Sequence, residues 1–145
     1  MGAKWQRVKI DLPEYLSPEE RVQAADDIIE FIVDRTKKGV DKKGRSFPGY
    51  SEDYIKSLDF KIAGKSKSRI DLTLSGDMLA AIQVLSHKKG QVMIGFENGT
   101  EENARADGNI TGSYGGVPKR SKRRDFLGID AKDLERILST YEREN

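Results

Sequence analysis

Apolar and charged residues alternate over the first predicted element of the chain. Residues 7–12 read Arg-Val-Lys-Ile-Asp-Leu, so Val8, Ile10 and Leu12 share one side and the charged residues share the other. Successive side chains of a β-strand point to opposite faces, and this period of two therefore predicts a strand with one buried face. Pro13 ends the pattern.

Helical spacing replaces the alternation after Pro13. Apolar residues recur every three or four positions, at Val22, Ala25, Ile28, Ile29, Ile32 and Val33. Ser17 with Glu20 three residues later forms a capping-box pattern, and the proline between them suits a first helical turn. Gly39 is the residue type expected just past a helix end. The pattern predicts a long helix between Ser17 and Gly39.

The remaining apolar residues predict shorter elements. In order these are a helix after Ser51 with Tyr54, Ile55 and Leu58, a strand with Ile70, Leu72 and Leu74, a helix from Ser75-Gly76-Asp77 with Met78, Leu79 and Ile82, a hairpin over 83–96 turning at Lys88-Lys89-Gly90, and a last helix capped by Asp130 with Leu134, Ile137, Leu138 and Tyr141. This order predicts a single α+β domain over residues 1–145, in which a small antiparallel or mixed sheet packs with two main helices and some short ones.

Long polar segments separate these elements. We expect extended, charged loops at residues 39–50, 59–69 and 97–125, the last of which is nearly free of apolar residues. Apolar types make up only 36% of the chain and charged types 34%, so these segments have little apolar area with which to offset their ordering entropy. They either stay mobile or become ordered between neighbouring copies.

Composition narrows the possible environments. The chain has no cysteine, which excludes disulfides, thiolate metal sites and a cysteine nucleophile, and is typical of a reducing cytoplasm. No apolar run approaches the roughly 20 residues that cross a membrane, and no signal peptide is apparent, so we expect a soluble protein with no membrane partner. With 26 basic and 24 acidic residues, net charge alone does not indicate nucleic-acid binding.

Three segments resemble chemical motifs only in part. Gly39–Ser46 follows the phosphate-binding loop pattern, but Arg45 replaces the lysine and the segment follows a helix instead of a strand. His87, the only histidine, adjoins Ser86 without a nucleophile-elbow motif. The segment 103–114 loosely follows a calcium loop, but Arg105 occupies a ligand position. We therefore expect no catalytic residues, no bound metal and no cofactor.

The densest basic run has two interpretations. It comprises Lys119, Arg120, Lys122, Arg123 and Arg124. Such a run can neutralise several phosphates, which would make the chain a small nucleic-acid-binding protein. No aromatic residues are interleaved for base stacking, however, and the run can equally contact solvent or an acidic protein surface, such as residues 101–107 of a second copy.

Several segments together resemble a known family. Arg124-Asp125-Phe126-Leu127-Gly128, followed by a helix, resembles the arginine-x-Phe-Leu-Gly signature of phage virion morphogenesis (tail completion) proteins. The segment 71–79, a hairpin ending in Ile94-Gly95-Phe96, and an Ala104-containing segment follow in the order typical of that family. The stretch Lys43-Gly44-Arg45-Ser46-Phe47, with Tyr50, resembles the connection between its first two helices.

The resemblance implies a structural subunit without a reaction. It would form a ring, typically a hexamer, at the head–tail junction of a virion assembled in the host cytoplasm. Its partners would be copies of itself, the connector or neck, tail tube or sheath proteins, and DNA if the channel is lined with positive charge. Candidate subunit or partner contacts are Phe47, Tyr50, Arg124, Phe126, Leu127 and Gly128. The alternative for Phe126 and Leu127 is that they anchor the last helix to the core.

Overall fold

The computed structural model describes residues 3–47, 76–112 and 123–142. The elements in this part of the chain are β1 (Arg7–Asp11), α1 (Pro18–Lys37), α2 (Gly76–Ala80), β2 (Gln83–Lys88), β3 (Gln91–Gly95), α3 (Glu101–Thr111) and α4 (Ala131–Leu138), which continues into a 3-10 turn (Ser139–Tyr141). The predicted helix after Ser51, the predicted strand at 70–74 and the predicted loop at 59–69 lie outside the described residues.

The three strands form one antiparallel sheet in the order β1-β3-β2. β1 pairs with β3 from Arg7 opposite Gly95 to Asp11 opposite Gln91. The predicted hairpin is confirmed, and Gly90 supplies the positive φ of its turn. Gly95 also allows a close approach, because a Cβ built there would lie 2.6 Å from the Arg7 Cα. The predicted α+β class with a small antiparallel sheet is thus confirmed.

The start and end of α1 are those that its sequence predicts. The Ser17 hydroxyl accepts from the Glu20 backbone N–H at 3.1 Å, and the Glu20 carboxylate accepts from the Ser17 N–H at 3.0 Å. This capping box satisfies two amides that the helix itself leaves without partners. Gly39 adopts a φ of 81° just past the helix. Val22 was predicted to be buried but is 38% exposed, because it lies at the edge of the apolar face.

The core lies between α1, the inner face of the sheet and the shorter helices. α1 packs against β2, β3 and α4, and α2 packs against α3. The fully or nearly buried hydrophobic residues are Ile10, Leu12, Leu16, Ala24, Ala25, Ile28, Ile32, Phe47, Met78, Leu79, Ile82, Val92, Ile94, Phe96, Ala106, Phe126 and Leu127. Every helix except α4 contributes a buried side chain, and α4 adds half-buried ones.

The expectation that residues 97–125 form an extended loop is wrong for residues 101–111, which form α3. Thr100 caps this helix, and its hydroxyl accepts from the Asn103 N–H at 3.2 Å. The face toward the core is small and polar, with Ala106, Gly108, Asn103 and Asn109 buried. Asn103 is satisfied there, since its side chain accepts from the Gln6 N–H at 2.8 Å and donates to the Lys4 carbonyl at 3.1 Å.

This helix changes the expectation that neighbouring copies must order the polar segment. Hydrogen-bonded asparagines replace the missing apolar area, so residues 97–112 and 123–125 are held by contacts within their own chain. The hypothesis that they need a second copy for order is therefore wrong for these residues. Residues 113–122 of the same predicted loop lie outside the described part.

The last helix begins where its sequence predicts. Asp130 caps α4, and its carboxylate accepts from the Asp133 N–H at 2.8 Å. Leu134, Ile137, Leu138 and Tyr141 are half-buried against the core. None of the helices in the described residues has the length and apolar character that a membrane span requires.

Candidate assembly surfaces

The arginine-x-Phe-Leu-Gly segment is part of the hydrophobic core. Phe126 is 0% exposed and packs edge-to-face on Phe96, with ring centroids 6.3 Å apart. Leu127 is 6% exposed and Phe47 is 7% exposed. The interpretation of these three side chains as partner contacts is therefore wrong, because they are already covered within one chain. The alternative, anchoring of the last helix to the core, is what the structure shows for Phe126 and Leu127.

Arg35 fixes the backbone of the same segment. From the last turn of α1 its guanidinium donates to the Gly128 carbonyl at 2.8 Å and to the Phe126 carbonyl. Burial lowers the pKa of Arg35 from its usual value, and nearby carboxylates oppose that shift: Asp41, Asp133, Asp130 and Asp125. An arginine stays protonated near neutrality even so. A buried positive charge therefore holds two backbone carbonyls in place.

Lys42 provides a second attachment for the segment. Its backbone N–H donates to the Asp125 carbonyl at 3.0 Å, and its Nζ lies 3.1 Å from the Asp125 carboxylate. Gly128 has a φ of 155°, and the Lys42 stem lies where a Cβ at Gly128 would be, 2.9 Å from the Lys42 Cδ. Gly128 thus acts through backbone geometry and not as an exposed contact. Tyr50, the remaining predicted contact in this region, lies outside the described residues.

The segment that resembles a phosphate-binding loop is closed by its own aspartate. The Asp41 carboxylate accepts from the backbone N–H groups of Lys43 and Arg45, each at 2.9 Å. These amides are the kind of donors that a phosphate would use. Since an internal carboxylate already occupies them, the geometry favours a charged turn over a nucleotide site.

The predicted charged segments are partly engaged within the chain. Arg123 is exposed and donates to the Ile110 carbonyl at 3.3 Å, whereas Arg124 is half-buried and its backbone N–H donates to the Asn109 carbonyl at 2.7 Å. Lys119, Arg120 and Lys122 lie outside the described residues. In the acidic segment 101–107, Glu101 pairs with Arg105 at 2.8 Å. That pairing reduces the free negative charge that residues 101–107 could offer a partner.

Ser86 and His87 do not face the same side of the sheet. Ser86 pairs with Met93 and His87 with Val92, so their side chains alternate across β2. The His87 Nδ1 instead accepts from the Arg21 Nε at 3.3 Å. Over residues 3–47, 76–112 and 123–142, no group of three or more histidine or acidic side chains is arranged to hold a metal ion.

An acidic stripe runs along the solvent side of α1, and sequence reasoning missed it. It comprises the exposed residues Glu19, Asp26, Glu30 and Asp34. With about 3.6 residues per turn, these positions fall within a narrow arc opposite the buried residues Ala24 and Ile28. The half-buried Ile29 and Val33 and the exposed Val22 border the stripe on one side. The i, i+4 spacing of its last three acids was a readable signal.

The outer face of the sheet carries the opposite balance of charge. Three exposed bases, Arg7, Lys9 and Lys88, and one exposed acid, Asp11, have side chains on this face. The Arg7 guanidinium lies 3.7 Å from the centroid of the half-buried Trp5 ring. Because α1 packs on the inner face of the sheet, the acidic stripe and this basic face lie on opposite sides of the two layers.

Fold and surfaces together define a small α+β protein whose described polar residues are engaged within the chain or face solvent. Comparison with known proteins adds no relative, since no protein-family model, no curated protein and no solved structure matches the chain.

Proposed function

We propose that this chain is a non-catalytic structural subunit of a phage virion, which forms a ring at the head–tail junction as a tail completion or neck protein. The observation that carries the proposal is the convergence of the segments that resemble the virion morphogenesis family. Met78, Phe96 and Phe126 come from three distant segments, and all three are fully buried in one core. The resemblance thus involves residues that share one structural role.

The surfaces support self-assembly over small-molecule chemistry. Two sides of unlike charge suit a head-to-tail contact between identical subunits, and repetition of such a contact closes into a ring when the rotation allows it. The candidate chemical motifs lack the geometry that their reactions need, because Asp41 fills the loop amides and Ser86 faces away from His87. In the virion the further partners would be the connector, the tail tube or sheath, and DNA in the channel.

The test is the mass and shape of the assembled species. We expect sedimentation velocity and negative-stain images of the purified chain to reveal closed rings of identical copies at high concentration. Immunogold labelling of phage particles from the source strain should then locate the protein at the head–tail junction. A chain that remains monomeric at its solubility limit and does not label particles would contradict the proposal.

A gel-shift titration separates this role from nucleic-acid binding by the basic run. Neutralising Lys119, Arg120, Lys122, Arg123 and Arg124 together should leave ring formation intact if the basic run only lines a channel that holds DNA. Micromolar or tighter DNA binding by a chain that forms no ring, lost in the neutralised variant, would favour the alternative function. Arg124 is half-buried, which favours the structural role for that end of the run.

A further inference from the structure

We infer that the outer face of α1 docks on the open face of the sheet of a second copy of this chain. The helix side of the contact is the acidic stripe with its border of Val22, Ile29 and Val33. The sheet side consists of Trp5, Arg7, Lys9, Lys88 and Met93. This inference rests on the proposed ring and names the two surfaces that would form it.

Charge complementarity identifies the occupant as another copy. Four acids and, at the carboxyl end of the helix, one base, Lys37, project along the helix face. Three bases and one acid project from the sheet face. Two acidic stripes repel each other, so a symmetric dimer in which the two helix faces meet is disfavoured. The stripe is instead attracted to the basic sheet face of another copy. This attraction favours a head-to-tail contact that every added copy can repeat.

Both faces also offer some apolar area. Val22 is 38% exposed, and Ile29 and Val33 are half-buried along one border of the acidic stripe. On the sheet, Met93 is half-buried next to Lys9, its cross-strand partner, and Trp5 lies under the Arg7 guanidinium. Apolar residues flanked by charge are typical of protein interfaces, in which the apolar centre supplies affinity and the charges set orientation.

The acidic stripe is long enough to lie across the sheet face. Gly95 stands between Arg7 and Gln83 in the register, so the middle strand has no side chain at that point. Gly95 itself is buried, because the backbone of Gln6 and Arg7 lies where its Cβ would be. α1 has 20 residues, and its stripe from Glu19 to Asp34 extends about 22 Å at the usual helical rise, enough to cross the three strands.

Charge reversal tests the pairing of the two faces. The helix-face variant is Asp26→Lys with Glu30→Lys, and the sheet-face variant is Arg7→Glu with Lys9→Glu. Each reversal puts like charges opposite each other, and each should raise the concentration for half-maximal assembly by at least about tenfold in sedimentation velocity. A chain that carries all four substitutions has the charges exchanged at these four positions and should regain part of its assembly.

Mixing the two variants gives the sharpest outcome. In the helix-face variant the stripe has two acids and two lysines, so it no longer attracts the basic sheet face, and the sheet-face variant has two acidic faces. Each variant alone should therefore remain monomeric. An equimolar mixture should associate, because the unaltered acidic stripe of one variant then meets the unaltered basic sheet face of the other. Unfolded chains could not do this, so the mixture also reports folding. The milder pair Asp26→Asn with Glu30→Gln provides a second variant and should weaken assembly in the same direction.

The control matched to the helix-face variant is Glu135→Lys with Glu142→Lys, which makes the same change in net charge at exposed positions on α4 and after the 3-10 turn. It should assemble like the unaltered chain. Suppose that the unaltered chain forms rings. If both face variants then assemble at the same concentration as the unaltered chain, or if the folded variants do not associate on mixing, the named faces are wrong, but the proposed ring is not contradicted. If the unaltered chain never self-associates, the ring and the faces fail together.

Discussion

The guanidinium of Arg35 donates a 2.8 Å hydrogen bond to the carbonyl oxygen of Gly128, 93 positions further along the chain. With its second bond, to the Phe126 carbonyl, this contact joins the end of α1 to the arginine-x-Phe-Leu-Gly segment. The segment therefore enters the proposed ring as part of the subunit core and not as its exposed edge.

Replacing Arg35 should destabilise the fold. Arg35→Ala leaves two carbonyls without a donor in a buried place, so we expect the free energy of unfolding to fall by about 2–5 kcal/mol. Arg35→Lys keeps the charge but cannot reach both carbonyls with one planar group, and should cost about 1–3 kcal/mol. Urea unfolding of the monomer measures both.

The control for Arg35 is Arg136→Ala, which removes an exposed arginine paired only with Asp133 on the same helix. An exposed pair of this kind contributes about 0.5 kcal/mol or less. If Arg35→Lys proved as stable as the unaltered chain, the two hydrogen bonds of the Arg35 guanidinium would contribute nothing to stability.

Truncating Phe126 should damage the monomer before any assembly occurs. The side chain is fully buried against Phe96, so Phe126→Ala should lower the free energy of unfolding by about 3–5 kcal/mol. Tyr15→Ala, at a position 48% exposed, should change it by less than about 1 kcal/mol. A stable Phe126→Ala monomer that fails only in ring formation would restore the partner-contact interpretation.

Tyr141 makes stability depend on alkaline pH. Its hydroxyl donates to the Asp27 carboxylate at 2.7 Å, and burial, together with that bond, raises the pKa of Tyr141 to about 12 from its usual value of 10. A group whose pKa is higher in the folded state contributes stability that is complete below its unfolded pKa. That contribution is lost as the pH rises from about 10 to about 12.

Comparison with Tyr141→Phe isolates the contribution of this hydroxyl. Near neutral pH the variant should be less stable by about 1 kcal/mol, because a partly exposed hydrogen bond to a carboxylate is lost. The difference in unfolding free energy between the two proteins should shrink between about pH 10 and pH 12. Absorbance titration of tyrosinate gives the pKa directly, and a constant stability difference over that range would refute the assignment.

Two glycines form a matched pair for a backbone test. Gly128 has a φ of 155° and is covered by the Lys42 stem, whereas Gly44 has a φ of 82° and no atom within 4 Å of a built Cβ. Gly44→Ala should cost about 1–2 kcal/mol from left-handed strain alone. Gly128→Ala should cost more, about 2–4 kcal/mol, because displacement of Lys42 adds to a conformation that only glycine adopts readily. Thermal unfolding of the two variants measures both losses of stability. Equal losses would exclude a contribution from the displacement of Lys42.

Ring formation should weaken as salt rises. The proposed interface joins opposite charges near solvent, and the screening length falls from about 10 Å at 0.1 M to about 3 Å at 1 M ionic strength. Light scattering should therefore show half-maximal assembly at a several-fold higher concentration in high salt, while monomer unfolding changes little. Equal assembly at both salt concentrations would exclude charge pairing as its basis.

Local pattern was sufficient for much of the secondary structure. The alternation of Val8, Ile10 and Leu12 predicted β1, the Ser17–Glu20 pair predicted the start of α1, and Gly90 predicted the hairpin turn. Each signal depends on residues within a few positions of one another, so the sequence shows it directly. The helix at 101–111 was missed because its buried face is built from asparagine, alanine and glycine, and partners 97 and 99 positions away satisfy Asn103.

The sequence by itself determined where β1, α1 and the hairpin lie, where α4 begins, and that the fold is of the α+β class. Only the tertiary structure decided that Phe126 is buried, that Arg35 reaches Gly128, and that acidic and basic faces lie on opposite sides. The physical reason is that periodicity reports which side of an element is apolar. Which distant segment covers that side depends on packing between elements that the local pattern does not contain.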